Sequence, residues 1–94
     1  MNWYAHSCVA TIVEKQGLFL MVEELDGALT VFNQPAGHLE EGETLLEAAV
    51  RETLEETAWH VELTGFLGLY HYPAPNGVTY IRHCFIANAL SQVH

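Results

Sequence analysis

The sequence contains very few basic side chains. Lysine and arginine together number three, whereas aspartate and glutamate together number twelve, and the formal net charge is −9. Such a surface repels nucleic-acid backbones and anionic lipid headgroups, so we expect neither a nucleic-acid polymer nor a membrane as a partner. A small phosphorylated substrate would be repelled too, unless a divalent metal neutralised it. The permanent cations are Lys15, Arg51 and Arg82.

Cysteine is also rare. Cys8 and Cys84 are isolated, each within an apolar run, and no close-spaced pair of thiol ligands is available for zinc. We expect two buried free thiols in a cytoplasmic protein, with a disulfide between them as the alternative.

Histidine is more frequent but shows no pairing that would favour zinc. The six histidines are His6, His38, His60, His71, His83 and His94. His71 and His83 flank the turn at residues 73–77 and are expected to face each other across a hairpin. The sequence has no signal-peptide pattern and no apolar run long enough to span a bilayer.

The composition itself is that of a folded protein. Half of the 94 residues are hydrophobic and 16% are charged, which is enough for one domain with a modest core.

Apolar and β-branched runs predict strands, and one amphipathic segment predicts a helix. The helix is expected to begin at Thr44, with Glu47 completing a capping box, and Glu47 is also placed to pair with Arg51 one turn later. Leu25 to Ala28 form a predicted turn around Asp26-Gly27, and Pro35 and Gly37 are expected to break the strand ladder. The predicted strands cover residues 3–14, 18–24, 29–32, 61–72 and 78–89.

Acidic residues concentrate in residues 37–59. Glu52, Glu55 and Glu56 have the i, i+3, i+4 spacing that places side chains on one face of a helix. Like charges at this spacing cost a few tenths of a kcal/mol per pair, so the cluster indicates a hard, oxygen-binding cation such as Mg²⁺. A solvated helix face is the ordinary alternative for these three acids.

The spacing of this segment also matches a known family. Gly37, five residues, Glu43, seven residues and then Arg51-Glu52-x-x-Glu55-Glu56 resemble the Nudix box of the Nudix (MutT-like) hydrolases. Residues 19–24, 32–40 and 81–82 are similar to the NudJ-type branch of that family.

Two positions of the box depart from the family pattern. Thr53 replaces an aliphatic residue, and its hydroxyl can bond to the preceding turn. Ala58 replaces a glycine. Because a left-handed alanine costs roughly 1 to 2 kcal/mol, the helix is expected to run on towards Trp59 instead.

The resemblance implies the α/β (α+β) class and a Nudix fold, with a mixed β-sheet and the box helix packed on one face. It also implies a C-terminal strand and helix that these 94 residues do not contain. Residues 1–94 are therefore expected to form a single Nudix domain truncated at its C-terminus. In the alternative, a homodimer, two copies cover each other's exposed sheet.

The resemblance further implies a site for Mg²⁺, with Mn²⁺ as an alternative. Glu55 and Glu56 would be ligands, Glu52 a ligand or the general base, and a carbonyl near Gly37 a further ligand. Arg51 would orient Glu52. Glu43 would support the attacking water or a second metal, and another acidic group is expected beyond His94.

For the substrate, Arg82 is the candidate phosphate contact, with an ion pair to a surface acid as the alternative. Phe32 and Tyr70 are candidates for stacking on a ring, or else they cover the sheet. The implied activity is Mg²⁺-dependent hydrolysis of a phosphoanhydride bond in a nucleoside di- or triphosphate or related small pyrophosphate. The alternative is a catalytically silent Nudix-fold module that binds a nucleotide or a protein.

Overall fold

A computed structural model describes residues 3–93, so His94 lies outside the described residues. Seven strands and one α-helix occur in this range, and the α+β class predicted from the sequence is confirmed. In chain order the elements are β1 His6–Lys15, β2 Leu18–Phe19, β3 Val22–Asp26, β4 Leu29–Asn33, β5 Ala36–His38, α1 Leu45–Thr57, β6 Trp59–Pro73 and β7 Thr79–Gln92.

The main sheet is mixed and is centred on β1 and β7. Its order is β2-β1-β7-β6, and β5 pairs with another part of β1, on the same edge as β2. β1 and β7 run parallel, whereas the other pairs are antiparallel. Among residues 3–93, β3 and β4 pair only with each other and form a separate two-stranded sheet.

Helix α1 packs on one face of the main sheet, as predicted. Ala48 and Ala49 are fully buried against Val9 and Phe85. The small alanine side chains let the helix backbone come close to the sheet. A second cluster, centred on Val13, lies on the same face. The helix that carries the acidic residues is therefore fixed to the central strands.

The predicted strand at residues 18–24 is split in two. Gln16 and Gly17 both have positive φ, which closes the tight turn from β1 to β2. The Leu20 amide then donates to the Val13 carbonyl at 2.9 Å, and Leu20 packs against the core. From Val22 onwards the chain pairs with β4 instead. The packing of the partly buried Leu20 against the core thus separates β2 from β3.

The expectation that Pro35 and Gly37 break the ladder is wrong. Ala36–His38 forms β5, which pairs with Cys8–Ala10 of β1. Pro35 precedes the strand, where no amide is needed, and its carbonyl accepts from the Thr11 amide at 2.9 Å. The segment therefore remains attached to the sheet beside the acidic helix.

The N-terminus of α1 agrees with the prediction from the sequence, whereas its C-terminus does not. Thr44 caps the helix and forms the predicted capping box with Glu47. Ala58, however, adopts the left-handed conformation, with φ 62° and ψ 20°, so the expected extension towards Trp59 is wrong. The Ala58 amide donates to the Leu54 carbonyl, and its own carbonyl accepts from Val93 at 2.7 Å. These bonds hold the sharp reversal into β6 despite the missing glycine.

The structure tests the predictions made for the two cysteines and for the histidines of β6 and β7. Cys8 and Cys84 are both buried and free, as expected. His71 lies opposite Ile81, whereas His83 lies opposite Leu69, so the prediction that these two histidines face each other is wrong. The His83 Nδ1 lies 3.1 Å from the Cys8 carbonyl oxygen.

No helix within residues 3–93 is long and apolar enough to cross a bilayer.

Candidate active site

The Glu52 side chain of α1 lies against the backbone of Gly37 in β5. A Cβ atom at position 37 would overlap the Glu52 carboxylate. Only glycine leaves that space open, because every other residue carries a Cβ. The Glu52 side chain is 17% exposed. The fold therefore holds this carboxylate against the backbone of β5.

Glu56 lies one turn further along the helix and also reaches β5. Its Oε1 accepts a hydrogen bond from the Ala36 amide at 2.8 Å. Burial raises the pKa of Glu56, and the negative charges of Glu52, Glu24 and Glu55 raise it further, against the lowering effect of the Ala36 amide. The carboxylates thus lie close enough to repel one another.

Arg51 joins the acidic groups. Its Nη1 donates to Glu52 Oε1 at 2.8 Å and to Glu55 Oε2 at 3.2 Å, so these two carboxylates lie beside the same nitrogen atom. Its Nη2 donates to the His38 carbonyl at 3.0 Å. The planar guanidinium therefore links α1 to β5 while partly neutralising the cluster.

Glu43 binds the other edge of this guanidinium. Arg51 Nε donates to Glu43 Oε2 at 2.6 Å, and Nη2 donates to Glu43 Oε1 at 2.9 Å. These bonds are the main reason why the pKa of Glu43 is lowered. Hydrogen bonds to Glu43 and then to Glu52 also raise the pKa of Arg51 above its ordinary value. The structure thus places Glu43 as the partner of Arg51.

The predicted pair between Glu47 and Arg51 is not formed. Glu47 Oε1 accepts from the Thr44 amide at 2.9 Å in the capping box. Arg51 instead pairs with four other glutamates: Glu40, Glu43, Glu52 and Glu55. The capping box directs Glu47 back to the start of the helix, away from the arginine.

The donor set suits a hard divalent cation, which binds carboxylate and carbonyl oxygens. Glu52, Glu55 and Glu56 offer such oxygens, and the backbone of Gly37 lies against Glu52 without an intervening side chain. Within residues 3–93, however, no three His, Cys, Asp or Glu side chains are already arranged as metal ligands. The chemistry of the donors therefore fits the predicted cation, while Arg51 binds two of the carboxylates.

Arg82 of β7 is the second basic residue near these groups. It lines a cavity of about 230 Å³ together with Ala36, Gly37 and His38. Every ion pair found among residues 3–93 has Arg51 as its cation. The alternative of an Arg82 ion pair with a surface acid is thus absent from the described part of the chain.

Two further cavities meet at Arg82. One, of about 460 Å³, has a mainly apolar lining that includes Tyr70, Ile12 and Gln34. The other, of about 360 Å³, lies beside the β3–β4 hairpin and is lined by Phe32 and Gln34 among others. Tyr70 lies directly opposite Arg82 in the β6–β7 pair. Arg82 therefore lines three neighbouring cavities, whose linings also include Gly37, Tyr70 and Phe32.

Sequence reasoning missed two acidic residues that the fold brings to the site. Glu40 Oε1 lies 3.4 Å from Arg51 Nη1, and Glu24 shares the hairpin cavity with Arg82. The position of Glu40 within the box could have suggested its role. Glu24 precedes the box on a separate hairpin, and no spacing pattern connects it to the helix.

Comparisons with known proteins identify the family of the chain. A family model described as the NUDIX domain matches residues 3–93. Phosphatase NudJ of Escherichia coli K12 is 42% identical over 80 residues, which cover 85% of this chain and 52% of that protein. The chain thus spans about half the length of the curated relatives it matches.

Solved structures show the same similarity. A NUDIX hydrolase from Nitrosomonas europaea superposes with a TM-score of 0.89 at 38% identity, covering 96% of this chain and 62% of that one. A crystal structure of a NUDIX hydrolase from the same organism gives a TM-score of 0.78 at 27% identity, with 96% and 51% covered. Both likenesses extend over nearly all of the present chain.

Proposed function

This chain belongs to the Nudix family, and we propose that it is a metal-dependent pyrophosphohydrolase. Its substrate would be a nucleoside di- or triphosphate or a related small pyrophosphate. The observation that carries this proposal is the packing of the Glu52 carboxylate against Gly37, with Arg51 bound to the same carboxylate. A structural helix would have no need of a charged group in that position.

Glu52, Glu55, Glu56 and the Gly37 carbonyl would hold Mg²⁺, or Mn²⁺ in its place. When bound, the ion would neutralise phosphate charge and assist the attack of water. Nudix hydrolases in general use divalent metals, and three neighbouring glutamates supply the oxygen ligands that such ions prefer. The choice of Mg²⁺ rests on this ligand chemistry.

The neighbouring residues would orient the reacting groups. Arg51 fixes the Glu52 carboxylate from one side, so Glu52 can act as a ligand or accept a proton from the attacking water. Glu43 holds Arg51 through two hydrogen bonds. Its support for the water or for a second metal would therefore be exerted through the arginine.

Arg82 would bind one phosphate of the substrate, because it is a guanidinium without an ion pair among the described residues, in a cavity that includes Gly37. The organic group would then extend into the cavities beyond Arg82, past Tyr70 and Phe32. Specificity would depend on those cavities, since the Nudix helix handles only the diphosphate.

We keep three broader expectations as part of the proposal. Residues 1–94 act as one Nudix domain, the protein is cytoplasmic, and two copies can pair through the exposed sheet face. That face exposes large apolar side chains, such as Ile86 of β7. A sedimentation experiment would test the pairing.

The second candidate function is a catalytically silent Nudix module that binds a nucleotide or a protein. One observation favours it: among residues 3–93 no three ligating side chains are already arranged around a common position. Such a module would bind nucleotide without releasing phosphate.

The deciding experiment compares Glu56→Gln with Glu62→Gln. Glu62 is an exposed residue of β6, so the control removes the same charge away from the site. Nucleotide and pyrophosphate hydrolysis would be assayed with Mg²⁺, with Mn²⁺ and with a chelator. We expect Glu56→Gln to lower metal-dependent turnover by about 100-fold and the control to leave it unchanged. Full activity in Glu56→Gln would contradict the ligand assignment, and nucleotide binding without any turnover would favour the silent module.

A further inference from the structure

Glu24 of β3 lines the polar cavity beside the β3–β4 hairpin. The same cavity is lined by Asn33, Gln34, Ala36 and Arg82. The Ala36 amide donates to Glu56, so this cavity adjoins the proposed metal site directly. A carboxylate that no part of the Nudix box accounts for therefore lies next to the reaction centre.

The Glu24 carboxylate accepts few hydrogen bonds within the described part of the chain. Its Oε2 accepts one hydrogen bond, from Asn33 Nδ2 at 3.3 Å, and it belongs to no ion pair within residues 3–93. Its negative charge also contributes to the raised pKa of Glu56. A carboxylate can accept several hydrogen bonds, so Glu24 retains capacity for a donor on a ligand.

The arrangement of the cavities indicates which part of a substrate would reach Glu24. Arg82 lines the cavity at Gly37, the apolar cavity and the polar cavity. Gln34 also lines the last two, so these two cavities are neighbours. A diphosphate bound between Gly37 and Arg82 would place the organic group in the cavities beyond Arg82, where its polar edge would reach Gln34 and Glu24.

We propose that Glu24 is a specificity-determining residue, which accepts a hydrogen bond from an amino group on the substrate's organic part. This inference rests on the proposed pyrophosphohydrolase function. A base with an amino group at that edge would donate to the carboxylate. A base with a carbonyl oxygen there would place two acceptors against each other, which is unfavourable.

Cytidine and uridine nucleotides provide the matched probes. They differ along the edge formed by ring positions 3 and 4, where cytosine carries an acceptor nitrogen and an amino donor and uracil carries an N–H donor and a carbonyl acceptor. The comparison therefore tests a contact between Glu24 and the group at position 4. We expect kcat/KM for CDP to exceed that for UDP by at least about fivefold, the effect of one hydrogen bond to a charged group at an open site. The affinities for CMP and UMP, measured by NMR titration, should show the same preference.

Glu24→Gln is the test variant and Glu23→Gln is its control. A carboxamide can donate as well as accept, so Glu24→Gln should reduce the CDP to UDP ratio to within about twofold. Glu23 is the adjacent exposed residue of β3, and successive strand residues point to opposite faces. The control removes the same charge and should keep the ratio of the unmodified protein.

The inference is overturned if Glu24→Gln keeps the original ratio, or if the unmodified protein does not distinguish the two bases. It is also overturned if Glu24→Gln weakens Mg²⁺ binding while the CMP to UMP affinity ratio stays the same, because Glu24 would then belong to the metal site. If neither diphosphate is hydrolysed, and the assays of other nucleotides and pyrophosphates also show no metal-dependent turnover, the proposed function fails. The affinity ratio for CMP and UMP then still supports or overturns the role of Glu24.

Discussion

The helix side of the site and its hairpin side are held in place by different interactions. On the helix side, Arg51 bonds to Glu43, Glu52, Glu55 and the His38 carbonyl, and α1 itself packs on the main core. On the hairpin side, β3 and β4 pair only with each other. An isolated two-stranded hairpin is only marginally stable in water.

This difference suggests that the two sides of the site have different functions. Groups that handle phosphate must be held within a fraction of an ångström of their working positions, and the helix side provides that rigidity. Groups that recognise the organic part can lie on an element that tolerates change. Glu24 belongs to this second, more permissive side.

The largest effect should come from filling the space between β5 and α1. In Gly37→Ala the new methyl group would overlap the Glu52 carboxylate, which must move away. We expect hydrolysis to fall about 100-fold, the loss associated with a displacement of about 1 Å in an active site. Steady-state kinetics with Mg²⁺ would measure it.

Gly65→Ala is the matched control for that substitution. A Cβ at position 65 would meet Ile86 Cδ1 at 3.7 Å, an ordinary contact, and the site lies elsewhere. Activity should be retained. Equal activities in the two alanine variants would show that the approach of Gly37 to Glu52 has no functional role.

A smaller effect is expected from Glu43→Gln, in the pH dependence of stability. Because Arg51 lowers the pKa of Glu43 below its ordinary value of 4.5, ionised Glu43 stabilises the folded state at pH values above 4.5. That stabilisation is lost as the pH falls through the lower folded-state pKa. Urea unfolding should show Glu43→Gln less stable than the unmodified protein at pH 7, with the gap closing towards pH 3.

Glu41→Gln is the control for this experiment. Glu41 is exposed and forms no ion pair within residues 3–93. Its substitution should leave the pH dependence of unfolding unchanged. A gap between Glu43→Gln and the unmodified protein that stays constant from pH 7 to pH 3 would refute the coupling to Arg51.

The smallest effect should come from the hairpin. Leu29 is 69% exposed, so Leu29→Ser should change the free energy of unfolding by no more than about 0.5 kcal/mol. Val9→Ala, at a position that is 1% exposed, should lose about 2 kcal/mol. Thermal and urea unfolding would compare them. A large loss in Leu29→Ser would mean that the hairpin is not the more tolerant side.

Much of the fold could be predicted because its signals are local. Thr44 and Glu47 define the start of the helix through a capping box, which needs only four consecutive positions. The apolar side of α1 follows from its periodicity. Two of the predictions that were wrong involve residues whose partners are distant in sequence. Leu20 leaves the predicted strand because it packs in the core, and Ala58 becomes left-handed beside Val93.

The same distinction applies to the candidate site. The spacing of Gly37, Glu43, Arg51 and the three helix glutamates matched the Nudix box, and that resemblance identified the family. Helical geometry turns the spacing of the three glutamates into neighbouring side chains. The partner predicted for Arg51 was wrong, because the spacing in sequence allows either Glu47 or Glu43 to reach the arginine. The capping box decides between them by binding Glu47.

The sequence alone therefore determined the family, the helix and the acidic groups on it, because these depend on short-range periodicity and on fixed offsets. Only the tertiary structure decided what faces those groups. It brought Gly37 against Glu52 and set Arg82 and Glu24 around one connected region. The pairing of distant strands makes these contacts, and strand register depends on burial across the whole sheet.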